Sequence, residues 1–241
     1  MAPRLLSGRT VSGPFFGELY LRSTRPFLSD VVTEAEARFL RTNLPEGRLL
    51  DLGCGHGRHL AQVPAFGIDR DPLSLAEAKT FGPVVRGDFR ALPYRTASFQ
   101  GAWCWYNSMG TFEDDQVPLI LAELGRCVAP GGALVIQGSH LDRAIAQPEA
   151  GYDGPLPDGS HLKERAVFNP QKKRDEIHRS LQLPDGRLME APFFIRYYDL
   201  EEWRGLLAEA GFEVAWSVGG LDGAPLNESS TDVIVGAKKS P

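Results

Sequence analysis

Cysteine is scarce in this chain. Its 241 residues include three, Cys54, Cys104 and Cys127, far apart and in no CxxC pair. That spacing excludes a disulfide framework and a structural zinc, and leaves small buried hydrophobes in a reducing compartment as the reading. Long apolar runs are missing too: no stretch approaches the roughly 20 residues needed to span a bilayer, so no membrane partner is expected. The start, Met1–Thr10, lacks the apolar core of a signal peptide, and the cytoplasm is the expected location. Positive charge is in deficit, with 26 Lys+Arg against 31 Asp+Glu and a net charge of −5. A net acidic surface repels phosphate backbones and argues against a nucleic-acid partner. Around His56 and His59 no third ligand falls at metal spacing, so no metal is expected.

What is present is the composition of a globular domain, 42% hydrophobic and 24% charged, at a length that suits one domain with an insertion. The stretch up to about Gly47 reads as helical, because residues 33–40 are good helix formers after an Asp or Thr cap, and Pro45 and Gly47 stop it. Short apolar runs then alternate with helices. Strands are expected at Arg48–Leu52, Ala65–Asp69, Pro83–Arg86, Phe99–Tyr106 and Ala133–Gln137, and helices at Pro72–Lys79 and Asp114–Val128. This alternation predicts a doubly wound α/β fold around a mostly parallel sheet. From Ser139 to about Pro192 the rhythm breaks. Glu176–Leu183, the turn Pro184-Asp185-Gly186 and Arg187–Tyr197 read as a hairpin, with Glu164–Phe168 as a third strand, giving a small antiparallel β insertion. A helix over Asp199–Ala210, capped by Asp199, and strands at Phe212–Val218 and Asp232–Ala237 close the chain as an antiparallel pair. The expected parts are residues 1–138 (N-terminal helix and α/β core), 139–192 (insertion) and 193–241 (completion of the sheet).

The strongest local signal is Asp51-Leu52-Gly53-Cys54-Gly55-His56-Gly57-Arg58, between a strand and a helix. Glycines there let backbone approach a ligand and tolerate positive φ, and a helix N-terminus adds free N–H donors. In the dinucleotide fingerprint GxGxxG the third glycine falls one place later, where this chain has Arg58, which would crowd helix–strand packing. Asp51 can orient the loop and attract a cationic ligand, and would repel a pyrophosphate. Both points favour a zwitterionic or sulfonium ligand. Asp69 ends the second strand at the sheet edge where such folds bind ligands. It can accept both hydroxyls of a ribose or cap the next helix, with Asp71 the better cap. Asp88, after the third strand, can accept from an adenine amino group, and Leu73 or Phe89 can pack on the ring. Trp103 reads as core. Tyr106 and Asn107, at the end of the fourth strand, are better placed for a site.

Residues 49–58 (LLDLGCGHGR) resemble the first motif of Rossmann-like, S-adenosylmethionine-dependent methyltransferases. Asp69 falls at their ribose acid, residues 87–94 (GDFRALPY) look like their adenine station, and residues 121–132 are similar to their helix-to-fifth-strand signature. Residues 107–112 and 220–223 suggest small bacterial-type members with a β insertion. The resemblance implies S-adenosylmethionine as cofactor, held by Tyr20, Arg22, Asp51, Gly53, Cys54, Gly55, Gly57, Asp69, Arg70, Leu73, Asp88, Phe89, Tyr106 and Asn107. It implies transfer of the methyl group to a small molecule by in-line displacement. The Pro-Pro-aromatic motif of amino-directed nucleic-acid methyltransferases is absent after the fourth strand. Candidate catalytic groups are Tyr106, His140 and Tyr197. The insertion reads either as a lid on the acceptor, with Arg179 and Arg196 contacting a carboxylate or phosphate, or as an arm that builds a homodimer. The rival readings are a nucleotide-dependent oxidoreductase and a cofactor-binding scaffold without transfer.

Overall fold

The computed structural model describes residues 10–12 and 15–241; the readings made on Met1–Thr10 and on the start of the expected N-terminal helix therefore lie partly outside the described residues. In chain order the elements are β1 (Thr10–Ser12), α1 (Glu18–Thr24), α2 (Asp30–Asn43), β2 (Leu49–Leu52), β3 (Phe66–Asp69), α3 (Pro72–Ala78), β4 (Val84–Arg86), β5 (Phe99–Cys104), α4 (Val117–Cys127) and β6 (Val128–Ser139). There follow α5 (Leu141–Ala146), β7 (Glu149–Pro155), β8 (His161–Asn169), β9 (Arg174–Gln182), β10 (Leu188–Arg196), α6 (Leu200–Glu209), β11 (Phe212–Val218) and β12 (Asp232–Lys239).

The main sheet has seven strands in the order β11-β12-β6-β5-β2-β3-β4. The five from β6 to β4 run parallel, and β12 is antiparallel to both β6 and β11. This is the expected mostly parallel sheet with an antiparallel ending. Such a sheet is covered on both faces, and its inner strands are apolar throughout. β2 is buried along its whole length. Leu50, Leu52, Cys104 and Ile136 face the cluster under α4 and α6, and Leu49, Trp103 and Val135 face the cluster under α2. The chain winds from β2 toward β4 on one side and returns to β5 and β6 on the other. The crevice at that reversal is where open α/β sheets take ligands.

Local chemistry sets the ends of the helices. Asp71 caps α3 by accepting from the Leu73 and Ser74 amides, and Asp199 forms a capping box with Glu202 on α6. The cap of α2 is Ser29, which accepts from the Val32 amide, one residue before the helix and ahead of the expected Asp or Thr. Helix α4 starts at Val117, later than expected, because Asp114 is drawn off to Arg196 and Tyr198. Strand β5 stops at Cys104, short of the expected Tyr106, because Tyr106 and Asn107 both turn left-handed, with φ of 56° and 58°.

The second sheet contains the expected hairpin and third strand and exceeds them by two. It has five strands in the order β1-β10-β9-β8-β7, antiparallel except for β1 beside β10. One face carries Leu162, Leu181 and Ala191 against Phe15 and Leu19 beside and on α1, and Phe168 and Ile195 against Leu141 and Ala144 of α5. The alternate residues, such as Lys163, Arg165, Glu176 and His178, are exposed. This two-faced sheet therefore lies over the rest of the protein through α1 and α5. Among the described residues, no helix is long and apolar enough to cross a membrane.

Candidate active site

The loop after β2 is built from its glycines. Gly53, Gly55 and Gly57 all have positive φ, 85°, 52° and 86°. Two of them also serve packing: a Cβ on Gly57 would stand 2.8 Å from Ala78 Cα, and one on Gly53 would stand 3.0 Å from Ser108 Oγ. A Cβ on Gly55 would meet nothing within 4 Å. The loop is pinned by the Gly53 and Cys54 amides on the Ile68 carbonyl, at 2.9 and 3.1 Å. Asp69 completes it. One oxygen accepts from the Gly55 amide at 2.9 Å and the other from the Asp71 amide at 2.9 Å. Burial pushes its carboxyl up, against the lowering effect of these amides. A carboxylate has about four acceptor sites, so Asp69 keeps capacity for ribose hydroxyls.

The cleft beside the loop has two lobes that share Gly53 and Ser108. One offers about 500 Å³ and is lined by Phe16, Phe89, Phe112, Asp69, Arg70 and Asp88 among others. It combines aromatic faces with carboxylates at its edge, the chemistry of a purine–ribose site. Arg70 stacks 4.5 Å over Phe16. Asp88 is paired with Arg90, whose Nε donates at 2.9 Å, and that hydrogen bond holds its carboxyl at about 2. The other lobe offers about 360 Å³ and is lined by Tyr20, Gly55, Cys54, His56, Arg58 and Tyr106 among others. Beneath the loop Asp51 is 2% exposed, and its Oδ2 has no partner among the described residues. Burial pushes its carboxyl up to about 8, partly offset by Arg58. Asp51 lines neither lobe; its unpartnered oxygen lies beneath the loop that the two lobes share.

The structure brings Tyr20, Gly53, Cys54, Gly55, Asp69, Arg70, Asp88, Phe89 and Tyr106 to this cleft. Others expected there are elsewhere. Arg22 is solvent-facing, bonded to Glu18 at 2.9 Å and near Asp158. Leu73 is 55% exposed and does not line the purine lobe. The Asn107 side chain is taken up by Ser139, donating to Oγ at 2.9 Å and accepting from the amide at 2.7 Å. The three catalytic candidates also separate. His140 caps α5, its Nδ1 accepting from the Asp142 amide at 3.2 Å. Tyr197 is buried and donates to Asp175 at 2.6 Å. Tyr106 alone of the three reaches the cleft, and burial pushes its phenol up.

Neither arginine is a free anion hook. Arg196 is buried, bonded to Asp114 at 3.1 Å and Glu202 at 2.6 Å, and stacks over Tyr198. It faces α6 rather than the cleft because it ends β10 on the side opposite the inner face. Arg179 does lie on the inner face, and its charge and that of Glu164 act on the Tyr106 phenol. It is neutralised by Glu164, however, and donates to Thr24 at 2.7 Å and Ser23 at 3.0 Å.

A buried carboxylate, Glu36, escaped the sequence reading. It accepts from the Trp105 indole at 2.9 Å, stands 3.0 Å from His59 Nε2 and is ion-paired with Arg58. Burial alone would raise its carboxyl, but the bonds from His59 and Arg58 outweigh this and hold it at about 2. Its signal was an acid in the buried stripe Thr33, Glu36, Ala37, Leu40 of α2. Phe16, Ser108 and Phe112, which line the purine lobe, carried no such signal.

With this geometry in view, comparison with known proteins is informative. Residues 49–132 match the family described as "Methyltransferase domain". The structure resembles the CcbJ methyltransferase of Streptomyces caelestis, with a TM-score of 0.75 at 17% identity over 92% of this chain and 95% of the other. It also resembles an S-adenosylmethionine-dependent methyltransferase of Clostridium acetobutylicum, with a TM-score of 0.76 at 14% identity over 92% and 97%. A third is an amino pentose methyltransferase of Micromonospora echinaspora, solved with S-adenosylmethionine bound, with a TM-score of 0.67 at 22% identity over 92% and 97%. No curated protein matches the chain in sequence. Residues 49–132 thus match a methyltransferase-domain family, and the fold is that of S-adenosylmethionine-dependent methyltransferases.

Proposed function

We propose that this methyltransferase takes S-adenosylmethionine as donor and methylates a small molecule bearing an amine, by in-line displacement. The observation that carries the donor is the two-lobed cleft: aromatic and acidic at one end, cationic at the other, joined across Gly53 and Ser108. When bound, S-adenosylmethionine supplies a methyl group already activated by its sulfonium. The chain supplies position. Asp69 and the loop amides hold the ribose, and Phe16, Phe89 and Phe112 flank the base. Asp51 and Arg58 match the charges at the other end, and Tyr20 and Tyr106 close that end toward the lid. Holding reactants in line is worth roughly 7–11 kcal/mol.

The amine follows from what the mouth of the cleft offers. A phenol is protonated near neutrality, and desolvation pushes Tyr20, and Tyr106 though it is 41% exposed, further up, so both are donors and not bases. A hydroxyl acceptor would need a base before attack, whereas a neutral amine would not. The similar enzyme from Micromonospora echinaspora methylates an amino pentose, in keeping with this reading. The lid reading of the insertion is supported by Glu164 and Arg179 on its inner face, whose charges act on the Tyr106 phenol. Three free thiols and a net charge of −5 support a cytoplasmic enzyme acting on a small molecule rather than nucleic acid. The test is calorimetry with S-adenosylmethionine and NAD, then incubation of a metabolite extract with methyl-deuterated donor and mass spectrometry of the products. Tighter binding of NAD overturns the donor; label on oxygen or carbon overturns the amine.

A further inference from the structure

We propose that Arg58 receives the carboxylate at the amino-acid end of the donor, and that Glu36, His59 and Trp105 form a buried frame that holds it for that role. This rests on S-adenosylmethionine being the donor. Among the described residues lining the polar lobe, Arg58 is the one permanent cation. The other basic groups there are His56 and His59, whose burial favours the neutral ring. The cations nearby in sequence on the N-terminal segment have partners of their own. Arg22 is bonded to Glu18, and Arg25 makes a two-bond pair with Glu77 at 2.7 and 2.8 Å.

Arg58 is also partly unused. Its side chain is 12% exposed. Among the described residues only Nη1 donates, to Glu36 and, at 3.3 Å, to Thr33 Oγ1. A guanidinium carries five N–H donors in a rigid fork, so Nε and Nη2 remain for a planar, two-oxygen acceptor. The frame is fixed from three directions. Glu36 comes from α2, His59 follows the glycine loop, and Trp105 follows β5. Both Glu36 oxygens are occupied, so the acid anchors Arg58 without offering the ligand a competing free carboxylate. The Tyr106 ring lies 5.8 Å from the guanidinium carbon and lines the same lobe.

A purely structural Arg58, stapling the loop to α2, predicts a different response, and two ligands separate the readings. S-adenosylhomocysteine carries the amino-acid end; 5′-methylthioadenosine has the same adenosine and sulfur without it. Calorimetric affinities are measured for both on the wild type, Arg58→Gln, Arg58→Lys and Arg22→Gln. Two charge-assisted bonds correspond to about 100-fold. Arg58→Gln therefore loses about 100-fold for S-adenosylhomocysteine and less than about threefold for methylthioadenosine. Arg58→Lys, which keeps the charge without the fork, loses about tenfold for the first ligand alone and preserves the test if Arg58→Gln does not fold. Arg22→Gln changes neither. Equal losses for both ligands, or an unchanged affinity for S-adenosylhomocysteine, overturn the assignment. Failure of the wild type to bind either ligand overturns the donor reading itself.

Discussion

In the main sheet, the strands beside the glycine loop, β2 and β5, are almost wholly buried and carry one acid, Asp51. The second sheet, read above as a lid, instead sets Glu164, Asp175 and Arg179 between Ala166, Ile177 and Leu181 on a single face. The difference follows from what covers each sheet. Helices bury both faces of the main sheet, so charge is costly within it and chemistry gathers at its carboxyl edge. The inner face of the second sheet meets α1 at one end, where Arg179 pairs with Glu164 and donates to Ser23 and Thr24, and α5 at the other, where Asp175 accepts from Tyr197. The main sheet ends in a rigid edge, and the second sheet turns a paired, polar face toward it.

The comparison breaks most visibly at the glycines of that edge. Gly57→Val places a β-branched residue at φ 86° with its Cβ 2.8 Å from Ala78 Cα. Left-handed strain of roughly 1–2 kcal/mol and an overlap of about 1–3 kcal/mol add, and the thermal midpoint should fall by about 10 °C. Gly55→Val, with nothing within 4 Å of its Cβ, bears the strain alone. It should melt within about 5 °C of the wild type yet lose donor binding entirely, because the side chain fills the cradle. Melting curves with and without S-adenosylhomocysteine check both. Normal binding by Gly55→Val would show that this loop is not the cradle.

The same contrast explains what could be read from sequence. The core was legible because its signals are local. Residues 49–58 carry strand, loop and helix start in one run, and Asp71 and Asp199 announce their helices as caps. The lid was less so. Its inner face holds Ala166, Glu164, Asp175 and Arg179, whose weak alternation does not distinguish a hairpin from a four-stranded roof, and β1 joins it from residues far away in sequence. The side chains expected to contact ligand failed for a related reason. Whether Arg196 or Tyr197 is free depends on Asp114, Glu202 and Asp175, partners that only the fold brings near. Conversely Arg58, weighed only as an obstacle to a dinucleotide, acquires its role from Glu36 on a separate helix.

Two polar contacts sharpen the comparison by size. Glu36→Gln breaks a buried pair in the main body and strands Arg58, which costs about 3–5 kcal/mol. Tyr197→Phe removes one hydroxyl from a half-buried acid in the lid that water can reach, which costs about 1 kcal/mol. Midpoints near pH 7 should therefore fall by about 10 °C and about 3 °C. The first loss also depends on pH. The Glu36 carboxyl is held at about 2 against an ordinary 4.5. A depressed acid stabilises fully above its unfolded value, so the deficit of Glu36→Gln should be complete above pH 4.5 and shrink as pH falls toward 2. A deficit independent of pH would mean that the acid works by shape and not by charge. Equal losses from both variants would remove the distinction between core and roof.

The smallest expected effect concerns Asp51, the one acid of β2. Its carboxyl is pushed up to about 8 from an ordinary 3.8, so the folded protein holds a proton through that window that the unfolded chain has lost. A raised acid costs stability as pH rises, and Asp51→Asn should flatten the decline between pH 4 and 8. Binding reverses the balance. The donor carries a net positive charge near neutrality, and a cation beside Asp51 favours its ionised form. Binding of S-adenosylmethionine should then release up to about one proton at pH 7, with affinity rising by at most about tenfold per pH unit below 8. The amino group of the ligand also titrates in this range, so the informative quantity is the difference between wild type and Asp51→Asn. Calorimetry in buffers of different ionisation enthalpy counts the protons. A release that persists unchanged in Asp51→Asn would place the titrating group on the ligand and leave Asp51 a neutral, hydrogen-bonding acid beneath the loop.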